Sequence, residues 1–449
     1  MAANPIPIGT GRKGPIERAL SLFTEVLPGE GLTAVLLAVN VFTLLGSYYV
    51  LKTIREPLIL VQGGAEIKSY SAAGQALLLL LVLPIYSALA SRVNRMRLIA
   101  GVTSFFIANL AVFYFLGQSG ARVGVAFYIW VGIFNVFITA QFWAFANDVY
   151  SEAEGKRLFP IVAVGSNLGA WVGAVAAETL FRRLAPESAP YNMMLVAAAG
   201  LGFSILVTGI VNRREGARAR SSRAAEKPLG KEGGFKLVFS QRYLFLIALL
   251  ILVLNLVNTI GEFILGKLVT QQFSQQTSDP DQMGALIGQF YGDYFGWVNL
   301  LGFLFQLLLV SRIFKYIGVR GALFILPCIA LGSYSAIAIV PLLAVLRIGK
   351  ILENSTDYSI NNTTRHALFL PTSREAKYKA KATIDTLFWR IGDMLQAGIV
   401  FAGTTWLAFG ISSFAMINVL FVLGWLALVV AIGRENKKLT AETPVEKAA

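Results

Sequence analysis

Apolar stretches recur along the chain at 32–61, 70–91, 97–118, 123–150, 158–181 and 191–212. They recur again at 243–272, 284–311, 319–341, 342–368, 380–408 and 411–433. A helix needs ~20 apolar residues to cross the hydrocarbon core of a bilayer, and each of these stretches is long enough. The pattern therefore predicts an all-α polytopic membrane protein with 12 transmembrane helices in two six-helix halves. Between the halves, residues 213–242 contain RREGARARSSR and then EKPLGKEGG, a charged, Gly- and Ser-containing run that reads as a basic cytoplasmic linker. The expected organisation is a cytoplasmic segment at 1–31, bundles at 32–212 and 243–433 flanking that linker, and a cytoplasmic tail at 434–449.

Ionisable residues break this apolar pattern at a few places. In Tyr48–Leu60 (YYVLKTIREPLIL), Lys52 stands three and four residues before Arg55 and Glu56, so a helix presents all three on one face. Charge at membrane depth costs roughly 2.5–3.5 kcal/mol per residue unless it faces a wet or paired interior. Because apolar sequence continues past Glu56, the stretch reads as a span bent near Pro57 with its charges in a cavity. A helix that ends there, its charges reaching back to the interface, is the plainer alternative. The tenth segment carries a stripe of Arg347, Lys350, Asn354, Asp357, Asn361 and Arg365 at three- and four-residue steps, with Glu353 beside it. Such a stripe cannot face lipid. Polar positions recur in the seventh segment (Asn255, Asn258, Glu262, Lys267), the fourth (Asn135, Thr139, Gln141, Asp148), the eighth (Asp293) and the eleventh (Asp385, Arg390, Asp393, Gln396).

Composition agrees with a membrane protein: 56% hydrophobic, 14% charged, mean hydropathy +0.64. The net charge of +14 does not signal a nucleic-acid partner, because the basic residues sit in loops between apolar runs. They gather at the termini and after even-numbered segments: Arg92, Arg95 and Arg97; Lys156 and Arg157; Arg312, Lys315 and Arg320; Arg374, Lys377, Lys379 and Lys381. The opposite loops hold only Lys68, Arg122, Arg182 and Arg183, so both termini are expected in the cytoplasm; the expected location, which this count does not address, is a bacterial inner membrane. The lone Cys328 and lone His366 exclude a disulfide framework and a metal cluster. No phosphate loop, triad or zinc motif appears, so neither an enzyme nor a cofactor is expected; GSNLGAWVGA at Gly165–Ala174 reads as close helix packing or as a backbone approach to substrate.

The halves echo each other. SRVNRMRLIAG at Ser91–Gly101 corresponds to SRIFKYIGVRG at Ser311–Gly321, and SEAEGKR at Ser151–Arg157 corresponds to SREAKYK at Ser373–Lys379. Paired six-helix repeats around a midplane site resemble the major facilitator layout.

Three motifs resemble one family, the bacterial and plastid ATP/ADP translocases. LKTIREPLIL at Leu51–Leu60 is similar to its first-helix signature. FWAFANDVYSEAEGKRLFPIVAVGSNLGAWVGA at Phe142–Ala174 is the strongest likeness, and KAKATIDTLFWRIGDMLQAG at Lys379–Gly398 resembles the segment opening the eleventh helix. The resemblance implies a facilitator-like carrier that exchanges nucleotides, typically ATP against ADP. Arg55 stands where the family keeps a first-helix lysine, and Glu262 with Lys267 approximates a Glu-to-Lys pair. Asp393 departs from the pattern: the family places a lysine there, and here Arg390 lies one turn back.

The sequence thus points to a nucleotide antiporter. Lys52, Arg55, Arg347, Lys350, Asn354, Lys267 and Arg390 are the substrate-binding candidates; Glu56, Asp148, Glu262, Asp357, Asp385 and Asp393 are the gating or charge-pairing ones. The expected partners are a lipid bilayer and an anionic small molecule, most simply a nucleotide. A proton-coupled carrier of another anionic metabolite, or a non-transporting flippase or scaffold, remains the alternative.

Overall fold

The computed structural model describes residues 13–22, 24–90, 92–215, 234–373 and 375–442. The centre of the basic linker, Arg12, Arg374 and the end of the C-terminal tail lie outside the described residues. Every described element is helical.

A short α1 (Pro15–Leu20) precedes α2 (Gly31–Ala90), which runs for 60 residues. Straight, a helix of that length would reach about 90 Å, three times the hydrocarbon core. It is broken at Gly64, whose φ of 70° and ψ of −175° belong to a region that glycine alone enters freely. The sequence placed a bend at Pro57 and a loop beyond residue 61. Instead the helical dihedrals continue through Pro57, and the turn is compressed to Gly64. Lys68, expected in an external loop, is consequently helical and buried.

The next helices begin where local chemistry supplies a cap. Asn94 accepts from the Met96 amide (3.0 Å) at the start of α3 (Arg95–Gln118), and α4 (Gly124–Val149) follows. Ser151 and Glu154 form a reciprocal capping box opening α5 (Glu152–Arg183), which leads to α6 (Ala189–Glu215). After α7 (Gly234–Ser240) and α8 (Arg242–Ser274), Asp279 caps α9 (Pro280–Leu308), whose Pro280 occupies the favoured first turn.

A 47° bend separates α9 from α10 (Val310–Tyr316), which is followed by α11 (Gly318–Ala322) and α12 (Ile325–Ile339). The stripe of the tenth segment lies on α13 (Leu343–Thr356), a π-helical turn at Asp357–Asn361, and α14 (Asn362–Leu368). Two more π turns, Ala376–Ala380 and Ile384–Phe388, flank α15 (Lys381–Thr383) ahead of α16 (Trp389–Thr405). The chain closes with α17 (Ile411–Glu442). Among the described residues, eight helices are long and apolar enough to cross a membrane, nine if α9 and α10 form one bent span. The chain is a multi-pass integral membrane protein.

The helices assemble into two compact units. The first holds the chain up to Leu58, Leu81 through α6, and Gly284–Gly296. The second holds Ile59–Leu80, the chain from α7 to Met283, and everything from Trp297 onward. Phe127, Val131 and Phe134 are fully buried in the first unit, and Leu81, Ile85, Phe115 and Leu206 point outward on the same unit. An outward apolar face of that extent suits lipid, which needs no polar covering. Inside, Asn40 on α2 donates to Thr208 (2.7 Å) and accepts from Ser204 (2.5 Å) on α6, an interior hydrogen-bonded bridge that satisfies all three groups. In the second unit α8 packs against α13, α16 and α17, and α12 against α13 and α17.

Candidate functional site

In the first unit the charges of the first span find separate neighbours. Arg55 donates to Glu56 through Nε (3.1 Å) and through its terminal nitrogen (2.5 Å), and Glu56 is buried. The Arg55 guanidinium also lies over the Tyr128 ring at 4.5 Å. Lys52 Nζ sits 4.2 Å from the centroid of Phe295 and 5.1 Å from that of Tyr49. Cations held against aromatic faces gain electrostatic stabilisation there. Asp148 belongs elsewhere: it pairs with Arg95 at the α3–α4 end, where both side chains are substantially exposed.

The second unit contains a buried ionic cluster built from four helices, α2, α8, α12 and α13. Lys350 of α13 is fully buried, and its Nζ lies 2.7 Å from Asn258 Oδ1, 3.3 Å from Glu353 Oε1 and 3.5 Å from Glu262 Oε1. Asn258 and Glu262 come from α8, one turn apart. Glu353 also accepts from the Tyr334 hydroxyl of α12 at 2.9 Å. Glu262 accepts from Asn354 Nδ2 (3.3 Å) and faces Lys68 Nζ on the second half of α2 (3.9 Å). Two lysines and two carboxylates thus lie within reach of one another, so each of these buried charges has a counter-charge close by. Leaving any one of them without its counter-charge would be costly, since breaking a buried pair typically costs about 3–5 kcal/mol.

Three further ion pairs of the same unit involve candidate residues. Lys267 pairs with Glu66, so the cation expected to partner Glu262 takes a carboxylate of α2 instead. Asp393 accepts from Arg390 (3.0 Å) and from Asn255 Nδ2 (2.8 Å), and Asn255 also donates to the Trp389 carbonyl (2.8 Å). Gln396, one turn on, donates to Ser69 Oγ at 3.0 Å. Asp385 pairs with Lys381 (3.2 Å) at a more exposed position, and Asp357 accepts from Asn361 within the π turn (2.6 Å). Arg347 is partly buried one turn before Lys350, and Arg365 stacks on Trp389 at 5.7 Å.

Of the candidates, the structure therefore brings Lys350, Asn354 and Glu262 into one cluster, Arg55 and Glu56 into another, and Arg390 and Asp393 into a third. Lys68, Glu66 and Tyr334 were missed. Lys68 and Glu66 follow Gly63-Gly64, which reads as a loop until the break is confined to one glycine; Tyr334 lies between Ser333 and Ser335 in a run without charged residues, so nothing in its spacing singles it out. Among the described residues no three His, Cys, Asp or Glu side chains are placed to hold a metal.

Residues 125–436, more than two thirds of the chain, match the TLC ATP/ADP transporter family. The chain belongs to that family. Membership makes it a carrier of solutes rather than an enzyme. ADP,ATP carrier protein 1 of Chlamydia muridarum is 25% identical over 378 residues, covering 72% of this chain and 69% of that one. The corresponding protein of Rickettsia prowazekii is 21% identical, covering 90% of this chain and 93% of that one. Chloroplastic ADP,ATP carrier protein 1 of Arabidopsis thaliana is 24% identical over 70% of this chain and 54% of that one.

The solved structures agree on the fold. The nucleoside transporter NupG superposes with a TM-score of 0.64 at 10% identity, covering 92% of this chain and 100% of that one. A bacterial homologue of the human lysosomal transporter Spinster gives 0.62 at 14% identity, covering 91% and 98%. The TLC-family chain thus has an all-helical, major-facilitator-like fold.

Proposed function

We propose that this TLC-family carrier exchanges adenine nucleotides, ATP against ADP, across a membrane by alternating access. The observation that carries the reading is the family match over residues 125–436, which spans both compact units. The geometry supports it, because each unit keeps cations inside the apolar envelope: Lys52 and Arg55 in one, Lys68 and Lys350 in the other. Buried cations partly neutralised by carboxylates suit a polyanionic substrate that must be bound and then released. In this reading Lys52, Arg55, Arg347, Lys350, Asn354, Lys267 and Arg390 draw in the phosphates. Glu56, Glu262 and Asp393 hold the cations between cycles, while Asp148 and Asp385 act in charge pairs away from substrate and Asp357 bonds to Asn361.

The reading also takes the chain as twelve spans in two six-helix halves with both termini cytoplasmic, α2 contributing two spans through its break at Gly64 and the interrupted α13–α14 and α15–α16 one each. The test is uptake of labelled ATP and ADP into proteoliposomes, with and without unlabelled nucleotide inside. Uptake that requires internal nucleotide is the expected result. Folded protein giving no nucleotide uptake, but pH-driven uptake of another anion, would replace the reading with a proton-coupled carrier.

A further inference from the structure

Glu262 occupies an unusual place in the second unit. Three donors from two other helices converge on its carboxylate: Lys68 of α2, and Lys350 and Asn354 of α13. It is also the cluster's accessible carboxylate, with a side chain 24% exposed against 4% for Glu353. Glu353 is held by both Lys350 and the Tyr334 hydroxyl, so it is anchored where Glu262 is approachable.

We infer that the Glu262 carboxylate fills an anion subsite, and that a phosphate group of the substrate displaces it to bind Lys68, Lys350 and Asn354. This deepens the nucleotide-exchange reading and rests on it for the identity of the substrate. The subsite's donor set matches a phosphate group: two ammonium groups and one amide, supplying charge and hydrogen bonds to several oxygens. The exchange also conserves charge. With Glu262 in place, two lysines meet two carboxylates; with Glu262 swung out, an incoming anion restores the balance that Lys350 and Lys68 need. The resident carboxylate simultaneously ties the second half of α2 to α8 and α13, so displacement unties three helices of one unit. Glu262 is thus a built-in competitor for the substrate's anionic end.

Competition by a tethered group lowers apparent affinity by the fraction of time that the subsite is free. The test measures binding of ATP, ADP and inorganic pyrophosphate to the purified full-length carrier, wild type against E262Q and K68Q, with thermal unfolding recorded for each. E262Q keeps the side chain's shape and removes its charge, so it is expected to bind these anions roughly tenfold more tightly. K68Q retains the competitor and loses a donor, and is expected to bind them roughly tenfold more weakly.

Wild type that exchanges ATP for ADP while E262Q binds nucleotide no more tightly would overturn the subsite and leave the exchange reading standing. Tighter pyrophosphate binding by E262Q, with no ATP or ADP binding to either protein, would support the subsite and remove the nucleotide. If E262Q proves unfolded, K68Q decides: unchanged affinity in a folded K68Q overturns the proposal.

Discussion

Gly169 on α5 lies directly against the backbone of Phe42 on α2: a methyl group added at Gly169 would sit 2.2 Å from the Phe42 carbonyl oxygen. One turn to either side, Gly165 meets Ala38 and Gly173 meets Gly46 in the same way, each at 2.4 Å from a carbonyl oxygen. Two helices therefore touch backbone to backbone over three turns, the packing that small residues at four-residue spacing make possible in a membrane. The neighbour is main chain, so it cannot rotate aside. Gly169→Ala is expected to destabilise the carrier by about 1–3 kcal/mol, the usual cost of overpacking. Gly202→Ala on α6, where a methyl group meets nothing within 4 Å, is expected to be neutral or slightly stabilising. Thermal unfolding of both variants in detergent checks the pair; equal melting curves would contradict the close contact.

Arg55 and Glu56 are adjacent in sequence and bonded in space, and Glu56 is only 1% exposed. Removing the guanidinium alone strands a buried carboxylate. Arg55→Gln is therefore expected to lose about 3–5 kcal/mol of stability along with uptake, so its transport defect by itself proves nothing about substrate. The double variant R55Q/E56Q removes both charges and is expected to recover most of the stability while staying inactive. Wild-type uptake by the double variant would show that Arg55 serves only to neutralise Glu56.

Much of this was legible before the fold. Apolar length and loop charge gave the class, and spacing already set Lys52, Arg55 and Glu56 on one expected face and Lys350 and Asn354 on one stripe, with Glu353 beside it. Partner choice was not legible. Lys267 follows Glu262 by five residues, yet it pairs with Glu66, while Glu262 turns to Lys68 and Lys350. Spacing constrains contacts along one helix, whereas these pairs depend on which helices become neighbours. The π turn at Asp357–Asn361 adds a second reason: a wider turn shifts the register, so a stripe drawn at regular helical steps beyond Thr356 no longer follows one face. Thus Lys350 and Asn354 join the cluster, while Asp357 bonds locally to Asn361.

Tyr334 offers a cleaner probe of the anchored carboxylate than Glu353 itself. Its hydroxyl donates to Glu353 at 2.9 Å, and the whole side chain is buried. Tyr334→Phe keeps the ring and deletes that bond, which for a charged acceptor is expected to cost about 1.5–3 kcal/mol. Because Tyr334 touches the anchored carboxylate rather than the approachable one, the KM for nucleotide is expected to stay within about twofold, a shift under ~0.4 kcal/mol. Gly261→Ala reaches the same group from the opposite side, since a methyl there would lie 1.9 Å from the hydroxyl oxygen. Melting temperature and uptake kinetics, measured on both variants, separate loss of stability from loss of binding. A large rise in KM with unchanged stability would move Tyr334 into the substrate site.

Asp393 tests how far this chain departs from the translocase pattern in its eleventh span. Its carboxylate holds Arg390 at 3.0 Å and is itself held by Asn255, so the one cation of this turn is neutralised from within. Asp393→Asn removes the counter-charge but keeps an acceptor for Asn255. Arg390, with 18% of its side chain exposed, is then left as an uncompensated cation at the edge of the buried cluster. The expected result is a several-fold lower KM for nucleotide, together with a stability loss of about 1–3 kcal/mol from the broken charged hydrogen bond. The double variant R390Q/D393N loses the cation as well and is expected to return KM to or above the wild-type value. If KM is the same in wild type, D393N and the double variant, Arg390 and Asp393 form a structural pair that substrate never meets.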